Sequence, residues 1–171
     1  MGVLVEDLLT LARLDETPAM RRQPVDISSL ARDAVHDARA TAPEREIEVR
    51  APAHAEVTGD PHQLRQVLAN LMRNALVHTP AGTPIEVAIG QSDGSVTLSV
   101  RDHGPGLPDA SPELLFGRFW RAEGGRERGK DGAGLGLAIV AGIVDGHAGT
   151  VRAANAPGGG AAFEVRLPAR N

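Results

Sequence analysis

The chain contains no cysteine and no tyrosine. Without thiols, disulfides, zinc–thiolate sites and thiol nucleophiles are all excluded, and a reducing cytosol is compatible with the composition. Aromatics are scarce, and three of the four, Phe116, Phe119 and Trp120, fall within five positions. No apolar run reaches the length of a bilayer span, the longest being Leu135 to Val144. Glu6 and Asp7 interrupt the first apolar stretch, so no signal-peptide layout is present. The six histidines (36, 54, 62, 78, 103, 147) include no pair at metal-ligand helical spacing. A net charge of −4 argues against a general nucleic-acid surface, so no nucleic-acid partner is expected. A length of 171 residues suits one globular domain with a small appendage.

Residues 3–14 carry a wide apolar stripe at helical spacing, starting almost at the first residue as though a longer helix had been cut. Asp15-Glu16-Thr17-Pro18 stops it, and 17–25 reads as a linker. Asp26 or Ser28 can cap a helix over 28–41. Short strands are expected at 46–50, at an edge, and at 55–58. Asp60-Pro61 opens a helix running to 78, the cap residue being followed by proline at the first helical position. Its stripe is Leu64, Val67, Leu68, Leu71, Ala75 and Leu76, with Asn70, Asn74 and His78 along the border. Alternating segments 84–90 and 95–102 flank the hairpin signal Asp93-Gly94. A polar stretch, 107–131, begins with the aromatic knot, and a glycine-rich helix follows. A second hairpin, 150–155 with 161–167, turns at Pro157-Gly158-Gly159-Gly160. That order predicts an α+β fold, a two-layer α/β sandwich with a mixed sheet and helices on one face.

Four segments carry chemistry. Gly132, Gly134 and Gly136 alternate with Ala133, Leu135 and Leu137 and run on into the apolar stretch Ala138 to Val144; a helix start so bare offers its N–H groups and dipole to a phosphate, or merely allows close packing on a sheet. The amide oxygens of Asn70 and Asn74 suit Mg²⁺, a hard ion that needs few protein ligands beside phosphate oxygens; buried asparagines that cap a loop are the plainer reading. Asp102, ahead of Gly104-Pro105-Gly106, either receives an exocyclic amine while the glycines admit a flat ring, or caps a turn. A P-loop at Gly124–Lys130 fails because Asp131 stands where a hydroxyl is needed. A Rossmann fingerprint fails because Leu137 occupies its third glycine position.

Together the segments resemble a family. Asn70-Leu-Met-Arg-Asn74-Ala-Leu-Val-His78-Thr-Pro resembles the N box of bacterial sensor histidine kinases. Asp102-His-Gly-Pro-Gly106 resembles their G1 box, Phe116-Gly-Arg-Phe119-Trp120-Arg121 their F box, and Gly132-Ala-Gly-Leu-Gly136-Leu137 their G2 box. The resemblance spans about Pro24 to Pro168. It implies the Bergerat ATP-binding sandwich, shared with type II topoisomerases, a heat-shock chaperone and mismatch-repair ATPases, with ATP and Mg²⁺ as cofactors. In that reading Asn74 binds Mg²⁺, while Asn70 supports metal and phosphates. Asp102 receives the adenine amine, and Gly104 and Gly106 shape the pocket. Gly132, Gly134, Gly136 and Leu137 meet the phosphates, and Arg121 reaches the γ-phosphate. Residues 107–131 form an ATP lid whose root Phe116 and Phe119 pin by packing. Val77 and His78 depart from the lysine and tyrosine of many relatives, and His78 is counted among the nucleotide-binding residues.

The resemblance also implies domains: 1–16 as the end of a dimerisation hairpin, 17–25 as linker, and 26–168 as the catalytic unit. The family's phosphoacceptor box is absent. His36-Asp37 has its Thr41 and Pro43 out of register, and it falls inside the helix that begins the ATP-binding unit. The chain therefore reads as a fragment, and helix 3–14 is expected to lack intramolecular packing. Implied partners are the dimerisation domain and a response regulator, within a homodimeric, membrane-anchored parent whose catalytic domain is cytoplasmic. Competing readings on the same fold are an anti-sigma-type serine kinase, a hydrolysing relative and a non-catalytic nucleotide sensor.

Overall fold

The computed structural model describes residues 2–16, 20–109, 111–118 and 134–171. Within them helix α1 (Gly2–Asp15) is followed by β1 (Gln23–Asp26), α2 (Ile27–Thr41), β2 (Ile47–Arg50), β3 (Glu56–Gly59) and α3 (Pro61–Val77). Strands β4 (Ile85–Ser92) and β5 (Ser95–Asp102), a 3₁₀ turn (Pro112–Phe116), α4 (Gly136–Gly146), β6 (Thr150–Asn155) and β7 (Ala161–Pro168) complete the order.

Five strands form one mixed sheet, β2-β4-β5-β7-β6, in which only the edge pair β2–β4 is parallel. Register lines up Ile89, Leu98 and Val165, and likewise Val87, Val100 and Phe163, on one face. Those side chains are buried against Leu64, Leu68 and Leu71 of α3 and Ile139 and Ile143 of α4. The other face alternates to polar residues, so the two-layer α+β sandwich follows from strand periodicity. The β4–β5 hairpin closes as expected, with Asp93 and Gly94 both at positive φ, as a two-residue primed turn requires.

Helix starts obey their caps. The Asp26 carboxylate accepts the Ser28 N–H at 3.0 Å and also the Ala55 N–H at 3.0 Å, tying α2 to the approach of β3. Asp60 accepts from His62 and Gln63 ahead of Pro61.

Two expectations need correction. The end of the stretch read as linker, 17–25, is strand β1, which pairs antiparallel with β3 in a separate two-stranded sheet. Alternation too short to register over four residues hid it. Helix α1 is also docked: Leu11 is buried, and Leu14 reaches 3.0 Å from where a Cβ would stand on Gly142 of α4. Arg118 grips both oxygens of Asp15, at 2.7 and 2.9 Å. A glycine in α4 leaves the notch that a leucine fills. The other half of α1 keeps Leu4, Val5, Leu8 and Leu9 exposed.

Candidate functional site

Strand phase places the first site residue. Val96, Leu98 and Val100 of β5 point to the helix side, and Asp102 is next in that phase, so a carboxylate occupies a core position at the sheet's end. A buried charge needs partners. Oδ1 of Asp102 accepts the Gly104 N–H at 2.9 Å and the Ala161 N–H at 3.2 Å, from the following loop and from the start of β7. Among the described residues Oδ2 has no hydrogen-bond partner.

Gly104 and Gly106 are glycine for reasons visible in the packing. A Cβ on Gly104 would lie 2.6 Å from Cγ2 of Thr79, and Gly106 sits at φ +91° with Asn155 Oδ1 2.6 Å from its would-be Cβ. That same Asn155 oxygen accepts the Leu107 N–H at 2.7 Å, anchoring the start of the 107–131 stretch to β6. At its other described portion Leu115 is buried, and Phe116 meets Phe163 edge-on with centroids 6.4 Å apart.

Helix α3 supplies the facing wall. Asn70 donates its Nδ2 to the Gly136 carbonyl at 3.3 Å, joining α3 to the first residue of α4. With the nitrogen so engaged, the Asn70 Oδ1 remains as acceptor. Asn74 lies one turn on, half-buried, and its carbonyl accepts the N–H of His78, the exposed residue that ends the helix. Gly134 has φ +72°, Leu135 is buried, and Leu137 packs part-buried in the first turn of α4. Asn70 and Gly136 are thus brought together, as are Asp102, Gly104 and Thr79, two residues beyond α3. Arg121, Phe119 and Gly132 lie outside the described residues.

Several supporting residues escaped the sequence reading. Buried Arg45 donates to the carbonyls of Leu76 at 2.9 Å, Thr79 at 3.0 Å and Thr83 at 3.3 Å, a cation on the C-terminal end of α3. Thr79 returns its hydroxyl to the Ala75 carbonyl at 2.6 Å. The sequence around Asn155 and the β6–β7 turn signals a hairpin, with three consecutive glycines as the one hint of a close approach. Buried His147 accepts the Asp60 N–H on Nε2 at 3.1 Å and donates from Nδ1 to Ile143 at 2.7 Å, bracing the start of α3 against the end of α4.

Electrostatics at the rim come from His103, whose Nε2 lies 2.7 Å from Glu86. That hydrogen bond, helped by the charges of Arg101 and Arg50, holds the Glu86 carboxyl below the usual carboxylate range.

Residues 59–171 match the family of histidine kinase-, DNA gyrase B- and HSP90-like ATPases. Across 166 residues, 96% of the chain, identity is 44% with the probable sensor histidine kinase TcrY of Mycobacterium tuberculosis, covering 35% of that protein. The chain spans about a third of the length of such curated relatives. The mycobacterial sensor histidine kinase MprB superposes with a TM-score of 0.76 at 32% identity, over 87% of this chain and 98% of that one. Full-length ShkA in complex with AMPPNP superposes with a TM-score of 0.81 at 30% identity, over 99% of this chain and 36% of that one.

Proposed function

The chain belongs to the histidine kinase-, DNA gyrase B- and HSP90-like ATPase family, as an ATP-binding catalytic domain of the sensor histidine kinase type, and on that premise we propose how its residues share the work. The parent transfers the γ-phosphoryl of ATP to a histidine on a dimerisation domain outside these residues, for relay to an aspartate of a response regulator. We place that parent as a membrane-anchored homodimer with this domain on the cytoplasmic side.

Asp102 receives the adenine amine on the oxygen not committed to Gly104 and Ala161, while Gly104 and Gly106 let the ring approach backbone. Gly132, Gly134, Gly136 and Leu137 present N–H groups to the phosphates, Arg121 reaches the γ-phosphate, and His78 borders the nucleotide. Phe116 and Phe119 pin the lid root. Asn74 is the Mg²⁺ ligand and Asn70 steadies the phosphate loop. The donor set suits a hard ion that completes its shell with phosphate oxygens and water. Among the described residues no cluster of three His, Asp or Glu offers a rival site. When bound, Mg²⁺ neutralises charge on the phosphoryl oxygens; the protein's own part is positioning.

The observation that carries this reading is the Asn70–Gly136 hydrogen bond, because it joins the amide row of α3 to the glycine-rich start of α4. Asn70 also supplies an amide where the water-activating glutamate of hydrolysing relatives would stand, which favours transfer over hydrolysis. ATP titration of the wild type and Asn74→Ala, with and without Mg²⁺, tests it. The wild type should gain affinity with Mg²⁺ and the variant should not. Equal Mg²⁺ dependence in both would overturn the metal assignment. Adding an isolated dimerisation hairpin should then place labelled phosphate on the hairpin's histidine.

A further inference from the structure

Three of the five residues in the β6–β7 turn, 156–160, are glycines, which impose no conformation of their own. Gly158, Gly159 and Gly160 have φ values of +87°, +107° and +86°, a run that only glycine adopts without strain. Yet the next residue donates one of the two N–H bonds that orient the Asp102 carboxylate. A glycine run with so little intrinsic bias needs contacts to hold it beside the carboxylate.

Two backbone bonds close the turn internally, Ala156 N to Gly160 O at 2.8 Å and Gly159 N to Ala156 O at 3.0 Å. The tie to the sheet is a side chain. Arg101, one residue before Asp102 and therefore on the opposite face of β5, donates Nη2 to the carbonyls of Pro157 at 2.9 Å and Gly159 at 3.2 Å. Its Nε is buried without a partner, a cost that a purely superficial arginine would avoid by staying in solvent. The guanidinium is thus drawn onto the turn rather than left free.

We propose that Arg101 is a positioning residue for adenine recognition: by clamping the 157–159 carbonyls it fixes the Ala161 N–H, and so holds Asp102 oriented toward the exocyclic amine of the purine. This rests on the nucleotide reading of Asp102 above. The clamp and the carboxylate are consecutive residues on opposite faces of one strand, so one end of β5 both grips the turn and uses it.

The test compares ATP with purine riboside triphosphate, which lacks the 6-amino group. Binding of each is measured by calorimetry to the wild-type chain, Arg101→Met and Arg101→Lys, with thermal melts as the folding control. Arg101→Met should lose about five- to tenfold in ATP affinity, the scale of one ordinary hydrogen bond. Its affinity for the amine-free analogue should stay within about twofold, so its preference for ATP collapses. Arg101→Lys, which still donates to the carbonyls, should keep the preference.

A merely structural role would weaken both ligands together in Arg101→Met, and that result overturns the proposal. So does an unchanged preference in Arg101→Met. A wild type that shows no preference for ATP overturns the reading of Asp102 itself, and is thereby distinguished from failure of the clamp. Should Arg101→Met melt below the assay temperature, Arg101→Gln replaces it, with the same two outcomes.

Discussion

Gly160 and Asp102 approach so closely that a Cβ on the glycine would stand 1.8 Å from the Asp102 carbonyl oxygen. Gly159, at φ +107°, has nothing within 4 Å of its own would-be Cβ. Gly160→Ala should therefore cost clearly more than Gly159→Ala, which meets only left-handed strain of about 1–3 kcal/mol. Chemical denaturation of the two variants measures the difference. Equal losses would mean the turn yields and the contact is unimportant.

Asp102→Asn separates charge from shape. Its amide oxygen would keep the Gly104 and Ala161 N–H groups, turning the NH₂ toward the purine and setting donor against donor. ATP affinity should fall by about tenfold or more, the worth of a charge-assisted bond replaced by repulsion. Inosine triphosphate, which offers an acceptor at the same position, should lose much less. Parallel titrations of the two nucleotides decide it, and equal losses would remove the purine amine from Asp102.

The sandwich was legible because its signals are periodic: β5 alternates strictly, α3 opens on Asp60-Pro61, and Asp93-Gly94 marks its hairpin. The candidate site residues were legible only as types at spacings. Their supports were not, because they act across long sequence separations through single contacts. Nothing near Arg45 signals that it reaches Leu76 and Thr79, nor does Asn155 announce that it holds Leu107. The docking of α1 was missed for a related reason. A notch at Gly142 shows only once α4 lies beside Leu14, and an apolar stripe read alone is equally suited to a bundle.

That docking makes a graded prediction. Leu11 is buried, whereas Leu9 is 52% exposed. Leu11→Ala should destabilise the attachment of α1 by about 2–3 kcal/mol, the low end for a leucine truncated at a packed site, while Leu9→Ala changes it by no more than about 0.5 kcal/mol. Amide exchange in α1, read against the unaltered β5–β7 amides, distinguishes local release from global unfolding. Identical protection in both variants would show the helix is not held by this contact.

Asp26 sets a pH dependence of stability. Burial pushes its carboxyl upward, but hydrogen bonds from the Ala55 N–H, His54 and the Ser28 and Ser29 N–H groups outweigh that and hold it below the usual carboxylate range. A depressed folded value means the unfolded chain binds the proton better. The stabilisation is thus complete above the unfolded carboxylate range, near pH 4, and is lost as pH falls through the lower folded value. Asp26→Asn should be less stable than wild type at pH 7, and the gap should narrow at pH 3 and below. Urea midpoints at several pH values follow it, and a gap constant across that range would refute the assignment.

With Mg·ATP alone, the chain should bind nucleotide and acquire no phosphohistidine, because transfer needs an imidazole nitrogen in line with the γ-phosphoryl. Both ring nitrogens of His147 are committed inside the core. His103, next to the proposed adenine carboxylate Asp102, is bonded to Glu86, and His54 is bonded to Asp26. His36 lies exposed on α2, whose main contacts run to α3, β2 and β4. His78 lies one turn beyond Asn74 and ends α3, its N–H bonded to the Asn74 carbonyl. Incubation with labelled ATP, followed by phosphopeptide mapping under alkaline conditions that preserve phosphoramidates, reads all six positions. Label on His36 or His78 would show that the chain carries its own acceptor after all, and the phosphoryl path would then have to be redrawn within this one domain.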